Sequence, residues 1–171
     1  MQFVLCHRHA EVPGRLDDAQ YPMLRLSDDV LQPVSAAGTA GRPLHAIGQG
    51  SGPLPLLAYS DASGLGRIMR ARMRGLHGDG GESAVPGSVA VVFTAHHAVL
   101  LKTMALEGRG VAWLPRSLIA DELRAGTLVA AGESAWDVPV EIRMCRQRAE
   151  MSPVAESLWS LAVGQHVKTT Q

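Results

Sequence analysis

Residues 93–129 read FTAHHAVLLKTMALEGRGVAWLPRSLIADELRAGTLV, and their glycine and proline punctuation allows few folds. Val99, Leu100, Met104 and Leu106 recur near helical spacing, so they predict the inward face of a helix that Gly108 and Gly110 bring to a stop. Val111, Ala112, Trp113 and Leu114 follow without a polar residue, as expected of a strand covered on both faces, and Pro115 should end it. A second helix is predicted over 117–124, with Leu118, Ile119 and Leu123 as its apolar stripe. Gly126 lies just past it, and Leu128 and Val129 resume extended chain.

The rest of the chain continues the alternation. Phe3, Val4 and Leu5 form a short strand, and residues 6–16 read as a polar loop turned by Pro13 and Gly14. Two extended segments, 21–26 and 30–35, flank a predicted turn at Ser27, Asp28 and Asp29, and Pro33 places the second at an edge or hinge crossing. Residues 36–55 are expected to be irregular. A strand at 56–59 leads to a helix at 65–73 that offers Ile68, Met69 and Met73 to the core. A glycine-rich tract at 75–87 reads as irregular before an apolar strand at 89–93. Strands alternating with helices predict an α/β fold, with a parallel or mixed sheet flanked by helices. In such folds ligands bind beyond the carboxyl ends of the strands. Two junctions have that character: Tyr59 into Ser60-Asp61-Ala62-Ser63-Gly64, and Phe93 into Thr94-Ala95-His96.

Sixteen basic residues balance sixteen acidic ones, so the total carries no electrostatic footprint for nucleic acid. Aromatic residues are only 4% of the chain, so the core is expected to be aliphatic. No apolar run approaches a membrane span of roughly 20 residues, and the start lacks the features of a secretory signal, which places the expected compartment in the cytoplasm.

Glu107-Gly108-Arg109-Gly110-Val111-Ala112-Trp113-Leu114-Pro115 resembles the "AGxGIAxLP" signature of the effector-binding domain of LysR-type transcriptional regulators, and Ala125-Gly126-Thr127-Leu128-Val129 is similar to the continuation of that motif. Residues 1–6, 27–36, 56–67 and 138–163 resemble further strands and helices of the same domain, so the likeness covers almost the whole chain. It implies an α/β fold of the periplasmic-binding-protein type 2 kind, with mixed sheets flanked by helices. Subdomain I would comprise about 1–33 and 138–171, and subdomain II about 34–137, with crossings near Ser35 and Pro139. No helix-turn-helix pattern precedes Phe3, so the resemblance implies a truncated chain with one subdomain incomplete, reaching DNA only through a missing N-terminal domain. It further implies a homo-oligomer without cofactor, metal or enzymatic activity, and a small-molecule effector held in a cleft between subdomains by Cys6, His7, Val34, Ser35, Ser60, Ser63, Thr94 and His96. A solute-binding protein of the same fold is the alternative, and the missing signal peptide argues against it.

Cys6, His7, His9, His96 and His97 are metal-binding types, but their spacing matches no zinc motif, and solvated loop histidines are the expectation. Gly48-Gln49-Gly50-Ser51-Gly52 has its serine misplaced for a nucleophile elbow, and Ser63-Gly64-Leu65-Gly66 lacks the lysine of a phosphate loop. Asp17-Asp18 and Asp28-Asp29 read as turn residues. A small hydrolase would require a serine beside a histidine at a strand end, with Ser60 or Ser63 and His96 as the residues to watch. If the sheet order of the family holds, Cys6 and Cys145 lie on neighbouring strands; two buried inert thiols are expected there. Residues 3–9 and 57–67 resemble most a subgroup with hypochlorite-responsive members in which methionine oxidation is the signal, whereas Met69, Met73 and Met104 read more simply as core filler.

Overall fold

Asp29 shows how the sequence pattern and the fold diverge. Its carboxylate accepts from the Val30 N–H at 2.8 Å, the Ser117 N–H at 3.2 Å and the Ser117 hydroxyl at 2.5 Å, a partner 88 positions away. It is therefore engaged at long range and closes no local turn. The two expected segments are one continuous 14-residue strand, β2 (Met23–Ala36). The structure is a computed structural model that describes residues 2–14, 16, 20–49, 52–75 and 89–169, with backbone only at 72–75 and 165–169. The expectations for the tract at 76–87, the Met73 side chain, the Asp17-Asp18 pair and the Gly50-Ser51 loop fall outside the described residues.

The chain divides into two units, Met1–Asp28 with Val140–Gln171, and Asp29–Pro139. In the first, β1 (Phe3–Arg8) pairs antiparallel with β7 (Val138–Arg146), Val4 opposite Cys145 and Cys6 opposite Arg143. Cys6, His7 and Arg8 were expected in a loop. They belong to the strand because β7 supplies ladder partners out to Glu141. α4 (Pro153–Thr169) is fixed by its first turns. Arg146 donates through both terminal nitrogens to Glu156, at 2.7 and 2.6 Å, and its guanidinium lies 5.4 Å from the Trp159 ring, on which Phe3 stacks at 6.3 Å.

In the second unit the later part of β2 pairs antiparallel with β5 (Ala112–Pro115) and β6 (Leu128–Ala130). Pro33 is fully buried there, not at an edge, and its carbonyl accepts the Ala131 N–H at 2.9 Å. Pro115 is the last rung of β5, opposite Leu31, so it ends the strand from inside. β3 (Leu54–Tyr59) runs parallel to β4 (Val89–Ala95), which makes the architecture mixed, as expected. The Val111 N–H donates to the Pro55 carbonyl at 2.8 Å, and the segment passes so close that a Cβ on Gly110 would lie 2.4 Å from the same oxygen. Gly110 therefore serves strand approach; the left-handed cap belongs to Gly108, at φ +74°.

Two helices differ from expectation. α2 (Ala98–Leu106) packs against β3 and β5 with Leu101 and Ala105 fully buried, while Val99, Leu100 and Leu106 face outward. The predicted 117–124 helix is a 3-10 turn at Arg116–Leu118 followed by α3 (Ala120–Ala125). The break falls at Ile119, which leaves helical geometry at φ −116° while its side chain is fully buried.

Candidate functional site

A concavity runs along β3 toward the carboxyl ends of β3 and β4, in the second unit. Tyr59 closes β3. Its hydroxyl donates to the Trp113 carbonyl at 2.9 Å, and burial pushes its pKa well up, so it is a neutral donor. The Ser60 N–H donates to the Ala95 carbonyl and the Ser63 N–H to the Ser60 carbonyl, which turns the chain into α1 (Gly64–Gly75). At Gly66 the helix rides against the strand end: a Cβ there would meet the Ser60 carbonyl at 2.6 Å and Tyr59 Cβ at 3.0 Å. Beside this contact lies a cavity of about 680 Å³, with Gly66 and Ala58 in its lining. Leu56, Met69, Val91 and Trp113 give it apolar walls, and Ser60 and Thr94 supply polar atoms at the strand ends. Arg70 and Asp61, also in its lining, are paired at 2.9 Å. An apolar body with a few convergent polar groups is the usual form of a small-molecule site.

Ser60 and Thr94 thus line the cavity, as their strand-end positions imply. His96 is exposed beside it, with its Nδ1 3.2 Å from the Ser60 hydroxyl oxygen and its ring edge-on to His97 at 4.7 Å. The serine–histidine contact that a hydrolase needs is present. Among the described residues, however, no carboxylate orients the other ring nitrogen, and the contact uses Nδ1 on an exposed ring. Other residues expected at a cleft do not line this cavity. Val34 and Ser35 are fully buried, and the Ser35 hydroxyl is occupied by the His45 N–H at 3.1 Å. Ser63 is buried at the start of α1. In the first unit, alternation along β1 turns Cys6 toward Cys145, sulfur to sulfur at 3.6 Å, and His7 to the opposite side. Cys6 is only half-buried, which departs from the expectation of two buried thiols.

Met69, Arg70, Gly66 and Trp113 escaped a reading confined to strand ends. The helical spacing of Gly66, Met69 and Arg70 puts them on one face of α1, which is the signal that would have found them. Among the described residues no three His, Cys, Asp or Glu side chains approach as a metal-binding group, and no helix is long and apolar enough to cross a membrane.

Mixed sheets with flanking helices define an α/β fold of the periplasmic-binding-protein type 2 kind. The model of the LysR substrate binding domain matches residues 12–166, and the chain belongs to that family, as its signature resemblance implied. It is 33% identical over 142 residues to the HTH-type transcriptional regulator YjiE of Escherichia coli K12, covering 83% of this chain and 44% of that protein. It is equally similar to the HTH domain-truncated transcriptional regulator QseD of Escherichia coli O157:H7, covering 54% of that protein. The chain thus spans about half the length of these curated relatives. Among solved structures, the apo regulatory domain of HypT from Salmonella typhimurium superposes with a TM-score of 0.76 at 28% identity, covering 98% of this chain and 73% of that one. Its bromide-bound form gives the same TM-score at 26% identity, over the same shares of the two chains.

Proposed function

We propose that this chain is the effector-sensing part of a cytoplasmic LysR-type transcriptional regulator, in which a small molecule occupying the cavity at the β3 and β4 ends modulates transcription. The cavity carries the proposal, because it combines apolar walls with Ser60 and Thr94, and an anionic group would compete with the exposed Asp61 carboxylate for Arg70. Ser60, Thr94 and His96 are the polar contacts we assign to the effector. Cys6 and His7 remain candidates in the first unit, whose Met1–Asp28 and Val140–Gln171 segments we take as one subdomain and Asp29–Pro139 as the other. Val34, Ser35 and Ser63, being buried, would support the site without touching ligand. DNA would be engaged through a helix-turn-helix domain, and the regulator would work as a homo-oligomer. An effector changes transcription to the extent that it prefers one conformation over another.

Trp113 in the cavity wall supplies the readout. Titrating the chain with small aliphatic and aromatic carboxylates should yield compounds that change tryptophan fluorescence and raise Tm. Ala58→Phe, which fills the cavity, should abolish both responses while the circular dichroism stays unchanged. Ligands that bind Ala58→Phe as tightly as the parent would show that the effector sits elsewhere. The Ser60–His96 contact favours a second reading, ester hydrolysis, which we set aside because among the described residues no carboxylate holds the second nitrogen of the exposed ring. Hydrolysis of p-nitrophenyl acetate that Ser60→Ala removes would reinstate it.

A further inference from the structure

The geometry points to Cys6 and Cys145 as a reversible disulfide site that a hydroperoxide would close. The two residues sit on adjacent antiparallel strands, with Val4 opposite Cys145 and Cys6 opposite Arg143. Val4 and Cys6 are two apart on β1, so Cys6 and Cys145 are diagonal neighbours on the same face of the sheet. Their sulfurs are already 3.6 Å apart. A disulfide requires about 2.0 Å, so closure needs a movement of roughly 1.5 Å, within reach of side-chain rotation and a small adjustment of a sheet edge. β1 is that edge: it ends the strand order β1-β7-β2-β5 and pairs, among the described residues, with β7. A diagonal bridge departs from the preferred disulfide geometry, and strained bridges are the ones readily reduced again.

The difference in exposure assigns the order of events. Cys6 is half-buried and reachable, whereas Cys145 is only 2% exposed. The Cys6 sulfur attacks one oxygen of hydrogen peroxide, the O–O bond breaks, and Cys6 sulfenic acid and one water form. The Cys145 sulfur then attacks the Cys6 sulfur, the S–O bond breaks, and the hydroxyl leaves as a second water with the proton of the Cys145 thiol. Two thiols are oxidised to one disulfide while one peroxide is reduced to two waters. The bridge ties the edge strand covalently to its neighbour and joins positions 139 apart in sequence. Two other oxidation routes are closed by the same geometry: a sulfenic acid at Cys6 is intercepted before a second peroxide arrives, and buried Cys145 is not attacked directly.

The full 171-residue chain, reduced and freed of reductant, is treated with hydrogen peroxide, then alkylated and weighed intact. The expected result is loss of both alkylatable thiols, a mass lower by two hydrogens, a Cys6–Cys145 linked peptide after digestion, and recovery of both thiols with dithiothreitol. In Cys145→Ala, Cys6 should instead accumulate a sulfenic acid trapped by dimedone; in Cys6→Ser, Cys145 should remain a thiol. The Cys6→Ser measurement stands even if Cys145→Ala fails to fold. Both thiols surviving while methionines gain oxygen, a disulfide between two chains, or fast oxidation of Cys145 in Cys6→Ser would each overturn the assignment.

Discussion

Arg146 grips Glu156 with two nitrogens of its guanidinium, and the Met151 N–H donates to the same carboxylate at 3.1 Å. The hydrogen bonds from Arg146 hold the Glu156 pKa below its ordinary value, with that from Met151 second. Because the folded pKa is depressed, the interaction contributes its full stability above the unfolded value of about 4.3 and loses it as pH falls through the lower folded value. Glu156→Gln removes the charge but keeps the shape. We expect its Tm to lie below that of the parent at neutral pH and to converge with it in acid, as thermal scans from pH 7 to pH 3 would reveal. A constant gap across that range would mean that the carboxylate contributes packing alone. Asp137 has the opposite sign. Burial raises its pKa, so between the unfolded and folded values its contribution declines as pH rises, and the two residues should be separated by parallel scans of Asp137→Asn.

At the scale of the element, α2 tests which side of a helix is inside. Leu100 is 52% exposed and Leu101 fully buried. Leu101→Ala should cost about 2–5 kcal/mol, whereas Leu100→Ala should cost less than about 1 kcal/mol; urea denaturation would distinguish them, and equal costs would mean that the helix faces the other way. The sequence reading placed this helix but turned it wrongly, for a physical reason: Val99, Leu100, Leu101, Ala105 and Leu106 are apolar nearly all round, so periodicity locates the segment without giving its phase. β5 was legible because its four apolar residues admit only a doubly covered strand and are all buried. The continuity of β2 was not, because what straightens Asp29 is Ser117, and no local pattern reports a partner 88 positions distant. The candidate site divides in the same way. Ser60 and Thr94 were visible as polar residues ending apolar strands, while Trp113 and Arg70 come from a different strand and from the helix that the loop at Ser60 feeds.

For the whole molecule, the outer surface of α4 bears on assembly. Val154, Leu158 and Leu161 are spaced by four and three residues, so they form one stripe, and they are 80%, 50% and 67% exposed. Ala155 on the same helix is buried at 4%, and Arg146 and Phe3 engage Trp159, so the helix has one face seated and a second apolar face turned to solvent. Scattered exposed leucines are ordinary, but three in register along a helix make a surface that water covers poorly. A two-fold pairing would let the stripe of one copy cover that of another with no further complementary surface, since such an interface presents the same patch from both sides. We therefore predict concentration-dependent self-association in sedimentation equilibrium, weakened roughly tenfold or more by Leu158→Glu with Leu161→Glu, the loss corresponding to about 1.4 kcal/mol or more. Neither position contributes to the buried core, so the circular dichroism of the double variant should match that of the parent. A chain that stays monomeric at every concentration, or associates equally well with both glutamates in place, would show that copies of this chain do not meet through α4.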